Sequence, residues 1–155
     1  MLNIRRLLIL GVICSFLLPV MVAGEAKLDL EKHKGQVVYL DFWASWCVPC
    51  KKSFPWMAQM QEKYRDRGLR IIAVNLDENA ADGDAFLQKF PVSFTVIRDP
   101  EGKLAEKYQV EGMPTALLFD AGGKLVGRHI GFRNGEKTAY EEAIVKLLPT
   151  TGTRQ

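Results

Sequence analysis

The chain has 155 residues, of which 48% are hydrophobic and 25% are charged, and its formal net charge is +3. That length allows one domain and leaves no room for two well-packed cores. The composition argues against collagen-like, disordered and multi-span membrane chains, and so small a charge argues against a nucleic-acid binder that works by neutralising phosphates.

The first two dozen residues have the pattern of an export signal. Two arginines precede an apolar run over residues 7–22, and two small residues follow it. The run is shorter than a spanning helix needs and Pro19 would bend it, so residues 1–24 are predicted to be a cleaved signal peptide, with a retained membrane anchor as the alternative. Residues 25–155 would then form one domain in the periplasm or another extracytoplasmic compartment.

The mature domain keeps two of the three cysteines in the sequence. Cys14 falls inside the predicted signal, and bulky Ile13 stands where a lipid-attachment motif has a small residue. Cys47 and Cys50 remain, in an oxidising compartment where pairs of thiols form disulfides. These two residues are therefore the cysteines whose chemistry has to be explained.

Predicted strands and helices alternate through the mature domain. The strands are short apolar or β-branched runs over residues 37–42, 70–76, 94–98, 115–119 and 124–130. The helices carry apolar residues on one stripe over residues 48–67, 84–90, 101–108 and 140–148. Gly68 would end the first helix, and Asn134 would cap the last. This order predicts an α/β fold with a central mixed sheet flanked by helices.

A Cys-x-x-Cys motif stands where the first strand ends and the first helix begins. Residues three apart on a helix share a face, so Cys47 and Cys50 can form a disulfide. The free N–H groups and the positive end of the helix favour a thiolate on Cys47, the predicted nucleophile. Cys50, one turn further in and more shielded, is predicted to be the resolving thiol. Val48 and Pro49, between them, are expected to tune the redox potential.

A structural disulfide and a zinc site are the alternatives for these thiols. A structural disulfide is disfavoured, because closing so short a loop removes little entropy from the unfolded chain. A zinc site needs four ligands, and His33 and His129 are the only histidines in the sequence. Each histidine is expected to be a polar surface residue without a role. No metal or organic cofactor is predicted, since the two sulfurs carry the electrons.

Two motifs, DFWASWCVPCKK and the later EGMPTALLF, resemble the thioredoxin superfamily. The long segment between them, with an extra helix and strand around residues 82–98, resembles the TlpA/ResA/DsbE-like branch of exported thiol-disulfide oxidoreductases. The resemblance covers residues 30–148 and implies a thioredoxin fold with a helix–strand insertion typical of that branch. It implies a protein disulfide reductase, acting for example on apocytochrome c, although the direction of electron flow does not follow from the residues.

The second motif is the implied substrate-binding turn. By the resemblance, Pro114 would be a cis-proline that faces the disulfide, with Met113 and Thr115 beside it. The unpaired backbone of Met113 could then bind an extended substrate strand. An ordinary trans turn is the alternative. Trp46 is expected at the exposed rim that contacts a partner protein.

Asp41 lies inside an apolar strand, so its carboxylate either faces water at a strand end or is buried near the active site. The resemblance implies burial beneath Cys50. Desolvation there would raise the pKa of Asp41 and fit the carboxylate to take the proton of the resolving thiol. Many reducing relatives instead have a Glu three residues after the second cysteine, where this chain has Ser53. Whether Asp41 takes over the role of that Glu is left open by the sequence.

The implied partners are proteins with cysteine pairs and a membrane-associated electron donor of the DsbD/CcdA kind. The domain is expected to be a monomer and to bind no nucleic acid. A thioredoxin-like copper metallochaperone is the alternative function, and it would need a further soft or imidazole ligand, with His129 and Met113 as the candidates. A redox-inert interaction domain is disfavoured, because both cysteines of the motif are present.

Overall fold

The computed structural model describes residues 28–150. The predicted signal, residues 1–24, lies outside the described residues. None of the helices within residues 28–150 has the length and apolar character needed to cross a membrane.

Five strands and four α-helices make up the described part of the chain. The strands are β1 Val37–Trp43, β2 Leu69–Asn75, β3 Thr95–Arg98, β4 Thr115–Phe119 and β5 Leu125–Ile130. The helices are α1 Cys50–Tyr64, α2 Ala80–Lys89, α3 Lys103–Lys107 and α4 Lys137–Val145. Short 3-10 segments cover Leu30–His33, Arg65–Arg67 and Asn134–Glu136.

The strands form one mixed sheet in the order β3-β2-β1-β4-β5. The strands β1, β2 and β3 are parallel, whereas β4 runs antiparallel to both β1 and β5. Every residue of the central strand β1 is buried, because helices cover both faces of the sheet. The predicted α/β fold with a mixed sheet is therefore confirmed.

Alternation along β1 divides the core into two clusters. Tyr39, Asp41 and Trp43 share one face of the sheet, and Leu40 and Phe42 share the other. The first face packs against α1, α2 and α4, and the second packs against α3. The active-site cysteines belong to the first cluster.

Helix α1 begins two residues later than the sequence predicts, at Cys50, so residues 47–49 form a turn between β1 and the helix. The helix continues through Pro55, and its buried stripe contains the four residues predicted for it: Phe54, Met57, Met60 and Tyr64. Gly68 follows with a φ of 92°, a left-handed conformation that glycine adopts without strain.

Helix α2 starts four residues before its predicted start at residue 84, and α4 lacks its predicted cap. Helix α2 begins at Ala80, because the Asn79 side chain accepts a hydrogen bond of 3.1 Å from the N–H of Ala81. The predicted cap at Asn134 is wrong: Asn134 begins a 3-10 segment, and α4 starts only after Glu136, without a side-chain cap.

Candidate active site

Cys47 and Cys50 form a disulfide with an S–S distance of 2.02 Å. Cys47 lies in the turn that follows β1, where its N–H donates to the Ala44 carbonyl at 3.1 Å. The N–H of Cys50, at the first position of α1, donates to Sγ of Cys47 at 3.3 Å. Since this N–H has no partner within the helix, it is placed to stabilise a thiolate on Cys47 after reduction.

The two sulfurs differ in how a partner protein can reach them. Cys47 is 4% exposed and Cys50 is fully buried. Cys47 lines a surface groove of about 550 Å³, whereas Cys50 is not one of its lining residues. This active-site groove is lined by Trp46, Cys47, Val48, Pro49, Leu76, Val110, Glu111, Gly112 and Met113. A partner sulfur can therefore meet Cys47 first.

The rim of the groove is apolar and exposed. Trp46 is 68% exposed and Val48 is 63% exposed, which is unusual for side chains of this size. Trp43, by contrast, is fully buried and packs on Phe54 with a ring-centroid distance of 4.6 Å. Of the two tryptophans near the motif, Trp46 is the one that a partner protein can contact.

The first turn of α1 carries two exposed cations and no acidic residue. Lys51 and Lys52 stand at the positive end of the helix dipole, which slightly disfavours the helix. Positive charge close to Cys47 would favour its thiolate, and these lysines follow Cys47 by four and five positions in the sequence.

The turn before β4 forms the wall of the groove opposite the cysteines. The Met113–Pro114 peptide bond is cis, and Gly112 and Met113 line the groove. None of the backbone hydrogen bonds among the described residues uses the N–H or C=O of Met113. Thr115, expected to bind substrate, is fully buried, and its hydroxyl donates to the Gly112 carbonyl at 2.6 Å. Thr115 braces the turn and does not face the groove.

Asp41 is 1% exposed, and its Oδ2 has no hydrogen-bond partner within the described part of the protein. It shares a sheet face with the disulfide, because Tyr39 and Trp43 on either side of it belong to the same cluster as the cysteines. Burial raises the pKa of Asp41 well above its usual range.

Ser53 lies three residues after Cys50, the position for which the resemblance implies a Glu in many reducing relatives. Its side chain is 1% exposed, and its hydroxyl donates to the Cys50 carbonyl at 3.1 Å. A serine hydroxyl does not titrate near neutral pH, so Ser53 cannot act as the acid–base group that a Glu would provide. The carboxyl group buried on this face of β1 is that of Asp41.

The loop before Cys47 is held by two residues that the sequence analysis did not single out. Asp77 accepts hydrogen bonds from the N–H of Ser45, at 3.0 and 3.1 Å, and from its hydroxyl at 2.9 Å. The Asn75 side chain donates to Asp77 at 2.7 Å. Their position at the end of β2 could have indicated this role in the sequence, because adjacent parallel strands end at the same edge of a sheet and the loop after β1 starts there.

His129 is not the free surface residue that the sequence predicts. It is half-buried, and its Nε2 lies 2.9 Å from the Tyr39 hydroxyl. It lines a second cavity, none of whose lining residues belongs to the active-site groove. Within residues 28–150, no three His, Cys, Asp or Glu side chains are grouped closely enough to hold a metal ion. A copper site at the groove would therefore lack the imidazole proposed for it, although Met113 is present.

Comparison with known proteins relates this geometry to a family. The Redoxin family matches residues 14–144. The thiol-disulfide oxidoreductase ResA of Bacillus thuringiensis subsp. konkukian is 34% identical over 123 residues, which covers 79% of this chain and 70% of the relative.

Two crystal structures resemble the fold. One is of a Chlorobium tepidum protein described as a thiol:disulfide interchange protein DsbE, with a TM-score of 0.76 and 50% identity, covering 77% of this chain and 85% of that one. The other is of the exposed lipoprotein thioredoxin Etrx1 of Streptococcus pneumoniae, with a TM-score of 0.66 and 34% identity, covering 76% of this chain and 90% of that one.

Proposed function

Because this chain belongs to the Redoxin family and is a thiol-disulfide oxidoreductase, we propose that it reduces disulfides of partner proteins outside the cytoplasm. The observation that carries the proposal is the active-site groove. Of the two cysteines, only Cys47 lines it, and exposed Trp46 and Val48 stand beside that sulfur. An apolar rim with a reactive sulfur suits an extended polypeptide.

The reaction proposed for the groove has two steps. The thiolate of Cys47 attacks a disulfide of the partner, one partner sulfur leaves as a thiolate, and a mixed disulfide forms. Cys50 then attacks Sγ of Cys47, which releases the second partner sulfur and restores the Cys47–Cys50 disulfide. The two electrons of the enzyme dithiol thus reduce one disulfide of the partner.

Two backbone features support this reaction. The N–H of Cys50 lies 3.3 Å from the sulfur that must carry negative charge. The unused N–H and C=O of Met113 can pair with an extended strand, which would align its disulfide with Cys47.

Asp41 is proposed as the base of the second step. Cys50 is buried, and an uncharged thiol is a poor nucleophile, so its proton has to leave before it attacks. A carboxyl group whose pKa is raised by burial is suited to take that proton near neutral pH. In this proposal Asp41 takes the role of the Glu that many reducing relatives have at the position of Ser53.

An extracytoplasmic location is supported by the N-terminal sequence pattern and by the likeness to an exposed lipoprotein thioredoxin. There the dithiol would be regenerated by a membrane-associated donor of the DsbD/CcdA kind. Apocytochrome c is one substrate of the right chemistry, since it presents a cysteine pair that must be reduced.

Equilibration with glutathione buffers, followed by tryptophan fluorescence, tests the direction of electron flow. A two-electron transition well below the glutathione couple is expected for a reductant. A transition well above that couple would overturn the reducing role and indicate an oxidant.

A Cys50→Ser variant tests the substrate class. Cys47 can still attack, but the mixed disulfide cannot be resolved, so the partner is expected to stay covalently bound. Cys47→Ser is the matched control and should trap nothing. Tight stoichiometric copper binding by the reduced protein, without reductase activity, would instead favour the metallochaperone.

A further inference from the structure

The active-site groove is apolar with one exception. Glu111 is its charged lining residue, and the other residues that line it are cysteine, glycine and apolar side chains. Glu111 is exposed, and none of the hydrogen bonds or ion pairs among residues 28–150 uses its carboxylate. A carboxylate without a partner in the protein can pair with a cation that a bound polypeptide brings.

The chain that leads to Glu111 is fixed where α3 ends. Gln109 has a φ of 53°, and no other non-glycine residue within the described part of the chain has a positive φ. The N–H of Gln109 donates to the Glu106 carbonyl, and the N–H of Val110 donates to the Ala105 carbonyl, both at 2.9 Å. These two bonds form a Schellman motif, which ends a helix and redirects the chain. Val110, the last residue of the motif, is the first of the four residues 110–113 that line the groove.

Arg128 of β5 holds the same turn. Its Nη1 donates to the Gln109 carbonyl at 3.0 Å, and its Nη2 donates to the Tyr108 carbonyl. Both carbonyls lie past the end of α3 and lack a partner within the helix. The guanidinium is thus engaged by the backbone and does not neutralise Glu111. Because the turn is held before a partner arrives, less ordering is needed when one binds.

Glu111 stands close to the backbone that is proposed to bind the partner. It lies two residues before Met113, so the Cα atoms of the two residues are at most about 7 Å apart. If a partner strand pairs with Met113, a residue about two positions along that strand lies opposite Glu111. The same pairing aligns the partner sulfur with Cys47. A cationic side chain near the partner cysteine can therefore reach the carboxylate.

Two other charges near the disulfide have the opposite sign. Lys51 and Lys52 follow Cys50 on α1, and neither lines the groove. A bound segment meets Glu111 directly, whereas the lysines act on it from outside the groove, where salt weakens exposed charges as their distance grows. A test of Glu111 therefore has to cancel the effect of these lysines.

We propose that Glu111 selects partner segments that carry a lysine or arginine within about three residues of the reactive cysteine. Apolar residues of the same segment would pack on Trp46 and Val48 at the rim. This specificity rests on the proposed reduction of partner disulfides and leaves its chemistry unchanged. Glu111 touches no reacting atom: its carboxylate favours cationic partners and disfavours acidic ones.

Synthetic peptides test this specificity. Each has one cysteine, joined through a disulfide to an aromatic thiol whose thiolate absorbs light. Cys47 of the reduced protein attacks the peptide sulfur, a Cys47–peptide disulfide forms, and the aromatic thiolate leaves. One set of peptides carries lysine or glutamate two residues before the cysteine in an otherwise identical apolar sequence, and a second set carries them two residues after it. The release of the aromatic thiolate gives the rate constant of capture.

The informative quantity is the rate constant of the lysine peptide divided by that of the glutamate peptide. In at least one set this ratio should be about two- to fivefold higher for the wild type than for Glu111→Gln, the usual range for an exposed ion pair. Comparing the two proteins cancels the effects of Lys51, of Lys52 and of the peptides themselves. Glu111→Lys should lower the ratio further, and high salt should reduce the difference between the proteins.

Glu142→Gln is the matched control. It removes an exposed carboxylate of α4 that does not line the groove, so the wild-type ratio should be kept. An equal fall of the ratio in Glu142→Gln would assign the preference to the net charge of the protein and overturn the inference. A difference between wild type and Glu111→Gln that salt leaves unchanged would also overturn it, because an altered groove shape, and not charge pairing, would then be responsible.

The outcomes separate this specificity from the function on which it rests. If the ratio is the same in the wild type and in Glu111→Gln for both sets, Glu111 selects no charge, while capture by Cys47 stands. If the reduced wild type releases the aromatic thiolate no faster than Cys47→Ser does, the proposed function itself is wrong.

Discussion

Gly83 of α2 lies directly against the side chain of Asn75: a Cβ at position 83 would be 2.8 Å from Oδ1 of Asn75. That amide donates to Asp77, and Asp77 holds Ser45, two residues before Cys47. The absence of a side chain at Gly83 is thus linked, through the Asn75–Asp77 and Asp77–Ser45 hydrogen bonds, to the position of the nucleophile.

Gly83→Ala is therefore expected to destabilise the protein, although alanine in a helix is ordinarily favoured over glycine by about 1 kcal/mol. The new methyl group would push Asn75 away from Asp77, at a cost of about 1–3 kcal/mol for a buried polar group left unpaired. Urea unfolding measures the difference. Gly135→Ala, where a Cβ meets nothing within 4 Å, is the control and should be close to neutral. A more stable Gly83→Ala protein would contradict the packing described.

Removing the Asp77 carboxylate should cost more. In Asp77→Ala the N–H of Ser45 and the amide of Asn75 both lose their acceptor, so we expect a loss of about 2–4 kcal/mol in the free energy of unfolding. Asp66→Ala removes a carboxylate whose side chain is 93% exposed and should change stability by less than about 0.5 kcal/mol. Equal effects of the two variants would refute the role assigned to Asp77.

Asp41→Asn should change how stability depends on pH. Folding raises the pKa of Asp41, so the native state binds this proton more tightly than the unfolded chain does. The carboxyl group therefore stabilises the fold at pH below its unfolded pKa of about 4, and this contribution is lost as the pH rises through the native pKa. Asn cannot ionise.

Unfolding of the oxidised protein at several pH values tests this expectation. Asp41→Asn should be more stable than the wild type at pH 8 by about 1–3 kcal/mol, the usual cost of an unpaired buried polar group. The gain should disappear near pH 4. A variant that is less stable at pH 8 than the wild type would show that the Asp41 charge is compensated in the native state.

Reversing the charges of the first turn should slow the first chemical step. Lys51→Glu with Lys52→Glu places two anions beside Cys47, which disfavours its thiolate. Alkylation of Cys47 in the reduced protein at pH 7 should slow about two- to fivefold at low ionic strength. This factor corresponds to about 0.3–1 kcal/mol, the usual energy of a charge at the end of a helix. The difference should shrink at high salt, because these charges are exposed and screened. Insensitivity to salt would point to a change in structure instead.

The elements that depend on local pattern were predictable from the sequence. The alternating strand–helix order, the buried central strand and the apolar stripe of α1 each follow from side-chain periodicity, and the structure has all three. The Cys-x-x-Cys pair was predictable for the same reason, because its chemistry depends on the spacing of Cys47 and Cys50 and on one helix end.

The parts that depend on contacts between distant segments were not predictable in this way. His129 reads as polar in its own strand, and only the pairing of β4 with β1 and β5 brings it to Tyr39. Asp77 meets Ser45 only because β1 and β2 end together. Thr115 follows the proline of the binding turn and was expected to face substrate, but its hydroxyl is used to close that turn. Asn79 and Asn134 are equally good caps by residue type, but Asn79 caps α2 whereas Asn134 begins a 3-10 segment before α4.

The complete enclosure of Cys50 has a consequence for the kinetics of the enzyme. A partner can enter the reaction only through Cys47, whereas its departure depends on an event inside one molecule. Raising the partner concentration therefore accelerates capture but leaves the lifetime of the captured complex unchanged. At saturation, turnover is limited by resolution, whose rate depends on the attack by Cys50 and on the pKa of the partner thiol that leaves, and not on the affinity of the partner.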